Sequence, residues 1–527
     1  MFKNNFRIAL RNLLKQKQFA ALNLLGLSTG LACILLIYLW VNDELKVDKF
    51  NVNDNRLYQV FKNNTNVDGS IETNEITQGL LADEMKNAIP EIEFAVQVHK
   101  DGHPSVLSYN EKRIKIKHQF AGKDFFRVFS YPLVSGNYKN VSGVKGIYLS
   151  DNLALKLFNS MNVVGKIVFW NYEAGDIDLS GPFNVAGVFK APPANATMQF
   201  DMLIPFDFYA RKFAGTMGDV TFWGSNMVST YIVLRPGVDI AALNNRIKDF
   251  TIQKIKSAYP GADLVKYEGK LVAQRYSDGY LNNNYVNGKR AGGRIEYVRL
   301  LSVIAIFILL IACINFINLS TVKAAGRMRE VGVRKVIGAS RTSLVFQYMA
   351  ESIMLSYFAM TLAITIAYLL LPAFSQITGK ELLLTISANL ILFAFGFPIF
   401  TGIIAGLYPA IYLSNFKPVS ALKGKLVASA GASFIRKGLV VFQFTISAVL
   451  IIAVLIVYQQ MKLVQTKNLG YDRENIIRFS VEGRLLDQEE TFLNDVKNIP
   501  GVKNATTMNG DLLGKVGHGG GGIDWDG

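Results

Sequence analysis

"FAALNLLGLSTGLACILLIYLWV", Phe19 to Val41, decides the fold class of this 527-residue chain. The run carries no formal charge, and as a helix rising ~1.5 Å per residue it reaches about 34 Å. A bilayer's hydrocarbon core is roughly 30 Å thick, so the segment reads as a membrane span. Four further runs share its character: Leu300–Val322, Ser352–Phe374, Leu390–Ile411 and Gly438–Tyr458. Leu390–Ile411 contains Gly396, Pro398, Gly402, Gly406 and Pro409. Lipid tolerates such residues where neighbouring helices re-satisfy the backbone, so a kinked, closely packed helix is expected there. A cleaved leader is the rival reading of Phe19–Val41. The run is too long for one and no small-x-small site follows it, so an uncleaved anchor is expected.

Half of the residues are hydrophobic and mean hydropathy is positive, which suits a membrane bundle joined to a soluble domain. The net charge of +16 raises a nucleic-acid reading, and its placement argues against one. Lys3, Arg7, Arg11, Lys15 and Lys17 precede the first run without an acid among them. Lys323, Arg327, Arg329, Arg334, Lys335 and Arg341 follow the second, offset only by Glu330. Lys417, Lys423, Lys425, Arg436 and Lys437 precede the last. These three short stretches hold nearly all of the excess, as the positive-inside rule requires. They place the N-terminus, 323–341 and 413–437 in the cytoplasm. Residues 43–295, the short turn 375–388 and 459–527 then lie outside. Ahead of the anchor, Phe2, Phe6, Ala9, Leu10, Leu13 and Leu14 fall at helical spacing, with Lys3, Arg7, Arg11 and Lys15 on another face. An interfacial helix resting on membrane lipids is expected. Cys33 and Cys313 both lie inside apolar runs, which offers neither a disulfide framework nor a thiolate metal site.

Residues 43–295 read as one large α/β domain. "RIKIKHQF" and "STYIVLR" alternate like strands, and "IAALNNRIKDFTIQKIKSAY" has helical spacing. In "FNVAGVFKAPPANATMQFDMLIPF", Pro192, Pro193 and Asn195 mark a turn between two strands. The Asn- and Gly-rich text of Leu281–Gly293 reads as a flexible return to the membrane. Catalytic patterns are scarce. His99 and His103 flank an Asp-Gly turn, which argues against helical two-histidine ligation. "LADEMKNAIPEIEFAVQV" (Leu81–Val98) is echoed by "FLNDVKNIPGVKNATTM" (Phe492–Met508) at a similar distance after a span. With the repeated order of basic stretch, span and outer segment, the echo implies a duplicated plan whose second copy, 459–527, is cut short.

The charged insert between the second and third runs is "AAGRMREVGVRKVIGASRTSLVFQYMAES". Read as a helix, it groups Val333, Val336 and Ile337 on one side and Arg327, Glu330 and Arg334 on another. Glu330 and Arg334 stand at i,i+4 with the acid first, the favourable order. Gly332 costs ~1 kcal/mol in a helix interior relative to alanine, which suggests close packing. Gly338 suits a left-handed helix end and Ser340 an N-cap for the helix that follows. Glu351, near the start of the third run, is expected to pair with Arg341 or Arg334 or to take part in transmitting motion.

The insert resembles the cytoplasmic coupling loop of the MacB/FtsX family of ABC transporter permeases. It matches that pattern at Arg327, Glu330, Val331, Gly332, Val333, Lys335, Ile337, Gly338, Ala339 and Ser340. The stretch from Ala9 to Val60, "GVFKAPPANATMQFDMLIPF" and "FIRKGLVVFQFTISAVLIIAVLIVYQQ" are similar to further parts of that family. The resemblance implies a multi-pass α-helical membrane protein of the mechanotransmission type, with a large α/β (α+β) extracytoplasmic core domain. Its parts would be the N-terminal helix and first span (1–42), the core domain (43–295) and an FtsX-like domain with spans 2–4 (296–437). A fifth span (438–458) would open a second half. Such a chain is not itself the enzyme: no Gly-x-x-x-x-Gly-Lys-Ser/Thr motif is present, and ATP and Mg are expected on a separate cytoplasmic ABC ATPase. Arg327, Glu330, Gly332, Val333, Arg334, Lys335, Val336, Ile337, Gly338 and Ser340 would meet that ATPase. Glu330, Arg334 and Lys335 would form a polar rim, and Val333, Val336 and Ile337 the apolar centre. The expected role is a permease subunit of an exporter in the bacterial inner membrane. A periplasmic adaptor, an outer-membrane protein and a second copy are further partners it brings into view, and nucleic acid is not. The alternatives are an FtsX-like signalling subunit that switches an envelope hydrolase and an anchored receptor without energy coupling.

Overall fold

The computed structural model describes residues 17–100, 105–137, 146–174, 177–216, 219–261, 268–326, 328–384, 387–414, 430–467, 475–479, 485 and 488–508. The interfacial helix expected at 2–15, His103 and most of the basic stretch at 413–437 lie outside them. Among the described residues five helices are long and apolar enough to cross a membrane. They are Lys17–Glu44, Arg294–Gly326, Arg341–Thr378, Ala388–Ser414 and Ala430–Thr466, called here the first to fifth spans. Each runs beyond the apolar stretch that announced it, because capping and polar ends, not hydropathy, set where a helix stops.

The chain divides into two compact units. The first draws on the described parts of Met1–Glu75, Pro192–Gln199 and Ile232–Leu469, the second on those of Ile76–Ala191, Phe200–Tyr231 and Gly470–Gly527. In the first unit, small residues let the spans approach closely. A Cβ on Gly30 would lie 2.9 Å from the Cβ of Ala312, and one on Gly26 would lie 3.0 Å from the Asn315 amide nitrogen. The fourth span repeats this on the third: a Cβ on Gly402 would sit 2.7 Å from Ile353 Cα, and one on Gly406 2.6 Å from Ser352 Cβ. Glycines four apart on one helix are the usual means of close helix approach in lipid. Pro398 and Pro409 fall inside one continuous helix. One turn before Pro398, the Tyr357 hydroxyl of the third span donates to the Phe395 carbonyl at 2.9 Å and ties the two helices together. Most described side chains of the fifth span are exposed, and Ile446 is buried.

The soluble part of this unit is built on Leu57–Thr65, which pairs antiparallel with Lys270–Arg275 on one side and Ile71–Asn74 on the other. "IAALNNRIKDFTIQKIKSAY", with its helical spacing, forms two helices, Ile240–Ile247 and Phe250–Ala258. At the break the Lys248 carbonyl accepts the Leu271 amide at 2.9 Å. The supposed flexible return is an ordered hairpin: Tyr285–Val286 pairs with Lys289–Arg290. Its Asn287-Gly288 turn has both φ values positive, 48° and 74°, as a two-residue type I′ turn demands.

The second unit is a mixed sheet with helices. Its strands lie in the order Ile92–Lys100, His118–Ala121, Met202–Pro205, Gly146–Ser150, Gly181–Phe189, Ile167–Asn171, Ser105–Tyr109 and Lys112–Ile116. Two neighbouring pairs are parallel, His118–Ala121 with Met202–Pro205 and Gly146–Ser150 with Gly181–Phe189. The "APPANATMQ" turn joins the two expected strands, Gly181–Phe189 and Met202–Pro205. The core is aromatic, centred on Phe120, Trp170, Tyr172 and Phe183. The helix Asp151–Phe158 starts at Ser150, whose hydroxyl accepts the Leu153 amide at 3.2 Å, and ends at left-handed Asn159. In the sequence echo, Leu81–Ala88 and Glu489–Lys497 are both helical, whereas the first copy's following strand has no counterpart among the described residues up to Met508.

Candidate coupling site

The second span is described as far as Gly326, and the helix Met328–Val336 follows it. Its end is a tight joint. Gly338 has φ +100°, a value that L side chains rarely adopt. The Ala339 amide reaches back to the Arg334 carbonyl at 2.9 Å, and the Ile337 amide to the Val333 carbonyl at 3.1 Å. This is the pattern of a glycine-terminated helix whose last carbonyls are satisfied by the reversal. Ser340 is then extended, and its hydroxyl accepts the Ser343 amide at 3.2 Å to cap the third span. The Gly-Ala-Ser chemistry thus yields a closed elbow between two helices, with no free linker.

Three contacts fix the elbow from below. Val331 is buried against Leu344, with Tyr348 packed beside them. Arg334 Nη1 donates to Gln347 Oε1 at 2.7 Å. Lys335 Nζ donates to the Ser414 carbonyl, 2.6 Å away at the end of the fourth span, where that helix leaves acceptors unsatisfied. The opposite side carries an apolar ridge: Val333 is 47% exposed, Val336 66% and Ile337 80%. Gly332 is buried within the helix.

The expected site residues therefore separate into two groups. Val333, Val336 and Ile337 share an outward face, as their i, i+3, i+4 spacing indicated. Arg334 and Lys335, expected on a polar rim, are half-buried and bond inward to the third and fourth spans. Gly338 and Ser340 make the joint. Glu330 lies in the short helix with its side chain outside the described residues, as does all of Arg327. Glu351 is half-buried on the third span, one turn beyond Gln347. Gln347, Leu344 and Ser414 belong to the site and were not anticipated. Leu344 and Gln347 follow Ser340 at helical spacing and were within reach of a periodicity argument, but nothing local marks a carbonyl 79 residues from Lys335.

Comparison with known proteins matches both parts of the chain. The sequence model of the MacB-like periplasmic core domain covers residues 20–250, and that of the FtsX-like permease C-terminal region covers 302–418. The macrolide export ATP-binding/permease protein MacB of Campylobacter jejuni subsp. jejuni is 22% identical over 79% of this chain and 61% of its own length. That of Bdellovibrio bacteriovorus is 34% identical over 24% of this chain and 19% of its own. The chain thus spans less than two thirds of these relatives' length. The crystal structure of the periplasmic region of MacB from Actinobacillus actinomycetemcomitans aligns with 42% of this chain and 89% of its own, at 16% identity and a TM-score of 0.29. The chain belongs to the MacB/FtsX family of ABC transporter permeases, membrane proteins with an extracytoplasmic core domain.

Proposed function

We propose that this chain is the permease subunit of an ABC-type exporter, moved by a separate ATP-hydrolysing subunit that docks on Met328–Val336. One observation carries the proposal: an apolar ridge of Val333, Val336 and Ile337 stands exposed on a helix that is locked into the third span. A ridge of this kind fits the apolar centre of a protein interface, where a few buried anchors dominate affinity. Because the joint at Gly338 and Ser340 is closed by hydrogen bonds, a push on the ridge passes to the third span instead of dissipating in a loop. Lys335 extends the same push to the fourth span through Ser414. The three basic stretches support a cytoplasmic elbow and N-terminus, with residues 43–295 on the outside.

Copurification of the full-length protein with an ATP-binding subunit tests the docking. ATP-dependent export, lost in Ile337→Asp without loss of membrane expression, tests the transport. Docking without export would leave the signalling-only role, which no observation in the structure favours. An ATPase that binds Ile337→Asp as tightly as the wild type would remove the elbow from the interface.

A further inference from the structure

At the other end of the spans lies a cluster of charged side chains. Glu44, the last residue of the first span, has a side chain that is 0% exposed. Its Oε1 accepts Arg294 Nη2 at 3.0 Å, Lys380 Nζ at 3.0 Å and the Tyr280 hydroxyl at 3.3 Å, and its Oε2 accepts Arg294 Nε at 3.3 Å. Lys380 also holds Asp43 Oδ2 at 2.6 Å. The Tyr280 ring lies beneath both cations, 4.9 Å from the Arg294 guanidinium carbon and 5.5 Å from Lys380 Nζ. Two acids and two bases make the cluster electrically neutral, the condition under which buried charges persist.

The five members come from four segments. Asp43 and Glu44 close the first span, and Tyr280 lies on the chain returning from the soluble part. Arg294 opens the second span, and Lys380 directly follows the left-handed Gly379 that ends the third. A second tier continues from this cluster. Buried Asp48 accepts the Thr197 amide at 2.8 Å and its hydroxyl at 2.7 Å, and that hydroxyl meets the Tyr276 hydroxyl at 3.0 Å. Tyr276 sits one helical turn before Tyr280. Thr197 belongs to the Pro192–Gln199 strap of the same compact unit, whose Asn195 carbonyl accepts the Asp48 amide at 3.1 Å.

We propose that Glu44 is the positioning residue of a clasp that makes the extracytoplasmic ends of the first three spans move as one lever with Asp48 and the Pro192–Gln199 strap. Motion delivered at the elbow then reaches that strap through the clasp and not through independent helices. The inference rests on the docking proposal above for the source of motion. Glu44 is the one carboxylate in the cluster that holds both Arg294 and Lys380, so its removal takes away the shared tie between the second and third spans and leaves Lys380 only its bond to Asp43.

The test uses the full-length protein in nanodiscs, with Cys33→Ser and Cys313→Ala as background and spin labels at Lys49→Cys and Ile377→Cys, both exposed positions. Without nucleotide, a narrow label-to-label distribution is expected, broadening in Glu44→Ala and Lys380→Met and staying narrow in Lys380→Arg. With the ATPase subunit bound, ATP should shift the distribution in the otherwise unsubstituted protein. In Glu44→Ala that shift should be lost while ATP hydrolysis is retained. Unchanged distributions in both Glu44→Ala and Lys380→Met would overturn the clasp. Lys380→Met stands in should Glu44→Ala fail to fold. Failure of the ATPase to bind the otherwise unsubstituted protein would refute the docking proposal alone, since the nucleotide-free distributions still judge the clasp.

Discussion

Replacing Val336 and Ile337 by alanine removes the outer part of the elbow's ridge and little else. Full burial is worth ~0.8 kcal/mol per methylene, so the two truncations forgo about 1.6 and about 2.4 kcal/mol if both side chains are fully covered in the complex. Val336 is 66% exposed and Ile337 80%, so only that fraction remains to be covered by a partner. Scaling by it leaves about 3 kcal/mol, or roughly a hundredfold rise in Kd for the ATPase subunit. The figure is a ceiling, because it assumes complete burial and adds the two positions as independent. Stability of the permease should change by about 0.5 kcal/mol or less, since exposed side chains are removed and no core contact is broken. Titrating the ATPase subunit against the full-length permease in nanodiscs measures the first quantity, and thermal unfolding of the same samples measures the second. A Kd within threefold of wild type would refute the reasoning, because Val336 and Ile337 are the two most exposed members of the ridge. A large loss of stability would refute it too, by showing that the ridge is internal packing.

Gly338→Val should open the joint. A Cβ there meets nothing within 4 Å, so the cost of about 1–3 kcal/mol is purely backbone strain at φ +100°. Faster hydrogen exchange at the Ala339 and Ser343 amides is the readout. Gly30→Leu should overpack the first span against Ala312 by about 1–3 kcal/mol, and Ala312→Gly in the same chain should recover part of the loss in a thermal-unfolding assay. Asp151 offers a pH test. Burial pushes its carboxyl up, but Lys190 and the Ala191 and Asn152 amides outweigh that and hold it below the ordinary carboxylate value. A carboxyl depressed in the folded state stabilises above its unfolded pKa and loses that contribution as pH falls through the folded one. Asp151→Asn should therefore unfold more readily than wild type at neutral pH, with the gap closing only in acid below the usual carboxylate range.

What could be read in advance follows the range of the forces involved. Spans are announced by some twenty consecutive apolar residues, and the elbow by Gly338 and Ser340, whose chemistry acts on neighbours one to four residues away. The Pro192–Asn195 turn and the outward spacing of Val333, Val336 and Ile337 are equally local. The ends of the spans were drawn short because Arg294 and Glu44 look like loop charges until their partners across the bundle are known. Arg334 and Lys335 were placed on the rim for the same reason: a cation's preference for a surface yields when a helix end offers a carbonyl, as Ser414 does. The break between the two helices at 240–258 has no local signal, because the amide that meets the Lys248 carbonyl comes from the distant Leu271. Leu281–Gly293 was misread by composition, although its Asn-Gly pair between short extended segments already carried the hairpin signal.

The most direct measurement is site-specific crosslinking from the elbow itself. Full-length protein bearing Ile337→Cys, modified with a short photoreactive thiol reagent in inside-out native membranes, should capture an ATP-binding polypeptide with a yield that changes when nucleotide is added. If no ATP-binding protein is captured, or if a membrane-impermeant thiol reagent added outside intact cells labels the same cysteine, the elbow is not where the motor acts.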